Sequence, residues 1–199
     1  MMQKIALASA SPRRRELLTQ LGVCFELIKV DVDESLLPDE IATDYVLRLA
    51  KTKALAGVAA QLETAQLTQD GNRGVAVLPV LGADTIVVVD GQVLGKPVDQ
   101  ADFLRMMRLL AGRQHQVYTA VALASSDKLL ADTVQTDVWF AAITEQQMLD
   151  YWQSGEPCDK AGGYGIQGLA SRFIPKISGS YFAVVGLPLY ETDQLLQQL

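Results

Sequence analysis

The sequence predicts an α/β protein with a mixed, twisted sheet and flanking helices. Three observations carry this. Apolar runs rich in Val, Ile and Leu alternate with segments of helical period. Asp90-Gly91 sits between two Val-rich runs, the signal of a tight hairpin, so one strand pair is antiparallel. Other strands are separated by helices, so crossover connections are also expected.

"KIALAS" (4–9) reads as a buried strand, followed by a helix from Pro12 to about Leu21 that Gly22 stops. Ser11 suits the cap of that helix and Pro12 its first turn. "VCFELIKV" (23–30) alternates and reads as a second strand, and "DVDESLLPDE" (31–40) as an acidic loop. A helix is expected over 43–62, capped by Thr43 or Asp44. "ETAQLTQDGNRG" (63–74) is polar and turn-rich and reads as a surface excursion. Strands and the Asp90-Gly91 hairpin fill 75–97, and a helix starts near Asp99 and stops at Gly112. Two long strands flank the turn Ser125-Ser126-Asp127-Lys128. A capping box, Thr144 with Gln147, opens a helix that closes at Gly155. "DKAGGYGIQG" (159–168) is a glycine-rich loop, and Pro188 starts a terminal helix.

Composition narrows the function. The chain has 199 residues, 49% hydrophobic and 20% charged, which suits one large globular domain. Its net charge of −6 argues against a broad nucleic-acid or membrane surface, so anion binding must be local. Two cysteines, Cys24 and Cys158, and one histidine, His115, leave no zinc pattern and no Ser–His–Asp triad. The cysteines read as free thiols of a reducing compartment. The apolar run Ile5–Ala8 is too short for a signal peptide, so a soluble cytoplasmic protein is expected.

The run Arg13-Arg14-Arg15 lies where a helix tolerates positive charge least. With Leu17 at zero on a helical wheel, Leu21 and Leu18 define a buried stripe at about 40° to 100°. Arg14 falls inside it at about 60°, Arg13 flanks it at about −40°, and Arg15 points away at about 160°. An inward arginine needs an anionic ligand or a carboxylate across a cleft. Free N–H groups at a helix N-terminus and guanidinium forks both suit phosphate. Lys53 lies on the buried stripe of the second helix, three and four residues after Ala50 and Leu49, so it is either a snorkelling lysine or a second phosphate contact.

Asp84 follows Gly82 and Ala83 where an apolar run opens into a strand. Such a carboxylate can hold a divalent cation or accept a proton from water, or serve only a strand-end turn. Asp31, Asp33 and Glu34 of the acidic loop are further candidate ligands, and Lys96 in "GKP" is another isolated cation. In the glycine-rich loop, Gly163, Gly165 and Gly168 permit close backbone approach, Tyr164 offers stacking area, and Gln167 offers an amide for a base edge. No Walker A or G-x-G-x-x-G pattern is present.

Together "LASASPRRRELL", "GADTIVVVDG", "GKP", "DKAGGYGIQG" and "GSYFAVVGLPL", in this order, resemble the Maf family of nucleoside triphosphate pyrophosphatases. The resemblance implies one domain over 1–199 with an inosine triphosphatase-like fold, two lobes about a deep cleft, and release of pyrophosphate with a divalent cation, Mg²⁺ or Mn²⁺. "GADT" and "YGIQG" resemble the branch acting on dTTP and UTP. By motif, Asp84 corresponds to the proton acceptor, and Arg13, Thr85 and Gln167 to positions that set base specificity. Ser9, Arg14, Lys53 and Lys96 correspond to phosphate-binding positions, and Glu34 with Asp84 to metal-side carboxylates. The polar segment from about Gln61 to Arg73 is longer than the family pattern. Two rivals stay open: a pyrophosphatase of 7-methyl-GTP or other modified nucleotides, and a non-catalytic nucleotide-binding regulator of septum formation. A homodimer through exposed strands is allowed and not required.

Overall fold

Among the described residues, 4–67 and 77–199, the computed structural model has one seven-stranded mixed sheet. Its strands are β1 (Ile5–Ala8), β2 (Phe25–Leu27), β3 (Val80–Val89), β4 (Gln92–Leu94), β5 (Gln114–Ala124), β6 (Leu129–Trp139) and β7 (Lys176–Ser178). They run in the order β2-β1-β3-β5-β6-β7, with β4 paired to β3. The helices are α1 (Pro12–Gln20), α2 (Ala42–Leu67), α3 (Gln100–Leu110), α4 (Glu145–Gln153), α5 (Tyr181–Val185) and α6 (Leu189–Leu196). The expected α/β class and mixed sheet are what the chain adopts.

β1 pairs in parallel with β2 (Leu7 opposite Leu27) and with β3 (Ala8 opposite Gly82). All four of its residues are buried, as a continuous apolar run in a parallel sheet should be. β2 covers only three of the eight residues expected, because it is an edge strand paired to a four-residue partner, and Leu27 is exposed. The Asp90-Gly91 hairpin forms as expected: Val89 faces Gln92, and φ is 50° at Asp90 and 76° at Gly91, as a type I′ turn requires.

α2 departs from expectation at both ends. It starts at Ala42, with the Tyr45 N–H already donating to Ile41 O at 3.0 Å, so Thr43 and Asp44 lie inside the first turn and do not cap it. It then runs five residues beyond the expected end at Leu62. The Gln61 amide holds this extension by donating to Leu78 O at 3.0 Å and accepting from Leu78 N–H at 2.9 Å. Residues 63–67 of the expected excursion are therefore helical, and 68–74 lie outside the described residues. The Asp99 cap of α3 and the Thr144–Gln147 capping box of α4 form as read. Pro188 sits at the cap of α6, one position before its first turn. β7, α5 and three short 3-10 turns (Glu156–Asp159, Ala161–Gly163, Leu169–Phe173) carry no strong periodicity and were not expected.

The chain divides into two compact units. Unit 1 comprises Met1–Asp84, Ala120–Thr133 and Gly186–Leu199; unit 2 comprises Thr85–Thr119 and Val134–Val185. Unit 1 has its core in Ile5, Leu7, Leu18, Leu49, Ala50 and Leu81. Unit 2 has its own around Phe103, Met107, Leu110, Phe140 and Tyr164. No described helix is long and apolar enough to cross a membrane.

Candidate active site

In unit 1 the chain leaves β1 through α1 to β2, then returns through α2 to β3 on the other side of β1. Right-handed crossovers in opposite directions place α1 and α2 on opposite faces. The carboxyl end of β1 is thus a topological switch point, where open α/β sheets bind ligands. Ser9 and the first turn of α1 lie there.

The Ser11 side chain accepts the Arg14 N–H, as expected of an N-cap. Ser9 does additional work: its Oγ accepts from Ser11 N at 3.2 Å and from Arg14 Nη1 at 3.3 Å. Arg14 Nε donates to Gly186 O at 2.8 Å, the residue that ends "SYFAVVG". The wheel holds. Arg13 and Arg14 are half-buried and Arg15 is exposed. Burial pulls the Arg14 pKa down, Asp84 opposes that, Arg13 adds to it, and Glu34 opposes it.

Lys53 projects from α2 and donates to Asp84 Oδ1 at 2.7 Å while its Nζ lies 2.6 Å from Glu34 Oε1. The small residues before Asp84 explain the geometry. A Cβ on Gly82 would collide with Ala50 O and come within 2.6 Å of Ala54 N, so only glycine lets α2 lie this close to β3. That approach brings Lys53 onto a carboxylate only 9% exposed. Lys53 is therefore not a snorkelling lysine.

The acidic loop is fastened to the same helix. Tyr45 Oη donates to Glu34 O at 2.7 Å, Arg48 Nη2 to Ser35 O at 2.9 Å, and Arg48 forks onto Glu40 at 2.6 and 2.7 Å. Glu34 is the loop carboxylate delivered to Lys53. Asp33 is spent on its own turn, where the Ser35 N–H holds its carboxyl below the usual range. Sequence reasoning missed Tyr45, Arg48 and Gly186. The spacing of Tyr45 and Arg48 on one helix face was the available signal for the first two.

The remaining predicted residues belong to unit 2. Thr85 follows Asp84 on β3, so strand alternation turns the two to opposite faces. Thr85 Oγ1 lies 3.1 Å from Thr119 Oγ1, which donates to Ala183 O at 2.6 Å. Lys96 and Gln167 are exposed. The Gly162 N–H donates to Gly95 O at 2.9 Å, joining the glycine-rich loop to the residue before Lys96.

Two readings of that loop need correction. Tyr164 is no stacking platform: it is 6% exposed, bonds His115 Nε2 at 2.7 Å and packs edge-on against Phe140. Three glycines also make room inside the protein. A Cβ on Gly163 would strike Phe103, on Gly165 the Lys160 stem, and on Gly168 the Glu156 carboxylate.

Among the described residues no group of three or more His, Cys, Asp or Glu is placed to hold a metal. Asp84 and Glu34, both within 2.7 Å of one Lys53 nitrogen, are two carboxylates close together. Magnesium is commonly held by one or two carboxylates with substrate phosphates completing the shell. The pair fits a cation that shares its ligands with a triphosphate, and does not fit a cage made by protein alone.

A family model described as Maf-like protein matches residues 4–199. The chain is 56% identical over 197 residues to the dTTP/UTP pyrophosphatase of Pseudoalteromonas translucida, covering 99% of this chain and 97% of the relative. It is 54% identical over 198 residues to the protein of the same name from Aliivibrio fischeri, covering 100% and 99%. It is 52% identical over 197 residues to that of Vibrio vulnificus, covering 99% of each. Strand order, the arginine-bearing helix start and the lysine-bridged carboxylates thus sit in a chain that belongs to the Maf family.

Proposed function

We propose that this chain hydrolyses dTTP and UTP to the monophosphate and pyrophosphate, a housecleaning activity on the nucleotide pool, with residues 1–199 working as one domain. The observation that carries the reading is the Lys53 ammonium shared by Asp84 and Glu34. Two carboxylates and one ammonium leave one net negative charge beside the Arg14 guanidinium, a group suited to a polyphosphate and its cation. The names of relatives that match over the full length support the choice of substrate.

In this reading Asp84 accepts the proton of the water that attacks the α-phosphorus, and its low exposure keeps the carboxylate aimed. Arg13, Arg14, Lys53, Lys96 and Ser9 bind the phosphates, and the cations among them offset the charge that develops on the leaving pyrophosphate. Asp84 and Glu34 are the residues that would hold a divalent cation, Mg²⁺ or Mn²⁺, which when bound supplies neutralisation of phosphate charge. On substrate binding Lys53 passes from the carboxylates to a phosphate oxygen. Arg13, Thr85 and Gln167 select the base. We assign the activity to the cytoplasm; the exposed free thiols Cys24 and Cys158 suit its reducing conditions.

The test is a panel of triphosphates assayed for pyrophosphate release. UTP and dTTP are expected to lead it. Preference for 7-methyl-GTP would move the chain to the sister specificity, and tight binding without pyrophosphate release would make it a regulator.

A further inference from the structure

Gln167 is exposed on the turn from Gly165 to Leu169, which the Gly168 N–H closes by donating to Gly165 O at 3.0 Å. One pair of side chains holds both ends of this turn. The Gly165 N–H donates to Tyr151 Oη at 3.1 Å. That hydroxyl donates to Glu156 Oε1 at 2.8 Å. The other carboxylate oxygen, Glu156 Oε2, accepts the Leu169 N–H at 2.8 Å. A phenol and a carboxylate thus bridge the four-residue step that presents Gln167.

The pair is itself held. Tyr151 is 4% exposed and packs edge-on against Phe173. Burial, and then the bond to Glu156, push its hydroxyl above the usual tyrosine range, so it stays a proton donor. Lys160 Nζ donates to Glu156 O at 2.7 Å. The Glu156 carboxylate fills the space that a side chain at Gly168 would need. None of this contact set is used by the phosphate chemistry.

We propose that Tyr151 and Glu156 are positioning residues that fix the Gln167 turn and thereby set base selectivity without touching the nucleotide. The inference rests on the reading of Gln167 as a base-reading amide. An amide discriminates between bases only while its position is held to within about 0.5 Å, which a backbone pinned at both ends provides. The bond from Leu169 N–H to a carboxylate is charge-assisted, stronger than a neutral one. Loosening the clamp lets the amide follow other bases, so selectivity falls while the phosphate-binding groups are unchanged.

The test compares Tyr151→Phe, Glu156→Gln and Gln167→Ala, with UTP and CTP as substrates. In both clamp variants the UTP-to-CTP ratio of kcat/KM is expected to fall about tenfold, carried by KM for UTP with kcat little changed. Adding Tyr151→Phe to Gln167→Ala should cost no further selectivity. A ratio lost in Gln167→Ala but kept in both clamp variants overturns the proposal and leaves the base-reading role standing. A ratio kept in Gln167→Ala overturns that role, and the proposal with it. Hydrogen exchange on the wild-type protein tests the clamp without any substitution. The Gly165 and Leu169 amides should exchange slowly, and fast exchange at both overturns the proposal.

Discussion

Each unit holds a polar cluster, and the two clusters are built in opposite ways. In unit 1 the cluster at Asp84 is charged and half-open: Lys53 and Asp84 each keep 12% of their side-chain surface, and their partner Glu34 keeps 54%. In unit 2 the cluster at His115 is closed: His115 is fully buried, and the hydroxyls of Tyr164 and Tyr151 are satisfied inside the protein. A charge cluster that must exchange partners with a ligand needs an opening. A loop that must present one amide needs the reverse, a rigid underside. On the proposed reading, polar side chains serve reaction in one unit and rigidity in the other.

Breaking the open cluster should have the largest effect. Asp84→Asn keeps the shape and removes the proposed proton acceptor, so kcat for UTP should fall about 10³-fold. Circular dichroism and thermal unfolding should show the fold retained. A variant that turns over UTP at the wild-type rate would remove Asp84 from the role of base.

The closed cluster should answer to pH instead. Burial, and then Arg113, hold the His115 pKa down to about 4. Among the described residues Nδ1 has no hydrogen-bond partner, so a second ring proton would be a buried, unpaired donor. The folded pKa lies below the unfolded value near 6.5, so the unfolded chain binds the proton first as pH falls. The stabilisation is full above about pH 6.5 and is lost progressively toward pH 4, amounting to roughly 3 kcal/mol at most. Urea unfolding of wild type and His115→Phe across this range measures it. The variant should lack that part of the slope, and identical slopes would show that His115 does not titrate this way.

This contrast also marks what the sequence could reveal. The charged cluster was legible because its signals are local: an apolar stripe with Arg14 and Lys53 on it, and small residues before Asp84. The closed cluster was misread for the same reason. Gly163, Gly165 and Gly168 look alike whether they admit a ligand or the side chains of Phe103, Lys160 and Glu156, and those partners come from elsewhere in the chain. In the sequence Tyr164 reads as a stacking surface because nothing local points to His115, 49 residues away. The hairpin and the caps of α1, α3 and α4 were readable from local turn chemistry, and the buried β1 run from its apolar pattern, whereas the Thr43 or Asp44 cap expected for α2 does not form. The extension of α2 depends on Gln61 meeting Leu78, a contact that spans 17 residues and has no local signature.

The arginine run gives the smallest effect and the sharpest test of side-chain direction. Arg14 points inward to Gly186 O and Ser9 Oγ, so Arg14→Ala removes the proposed phosphate contact and the brace between α1 and the loop before α6; kcat/KM for UTP should fall about 30-fold. Arg15 is one residue on, 100° round the helix and exposed. It sits near the positive end of the α1 dipole, where a cation is unfavourable by about 0.3–1 kcal/mol. Arg15→Ala should therefore leave kcat/KM unchanged and shift stability slightly upward, because it removes that repulsion and replaces arginine with the best helix former. Urea unfolding gives the sign and UTP turnover gives the activity. Equal kinetic losses in the two variants would mean that the run acts as undivided positive charge, and the direction of each side chain would then carry no function.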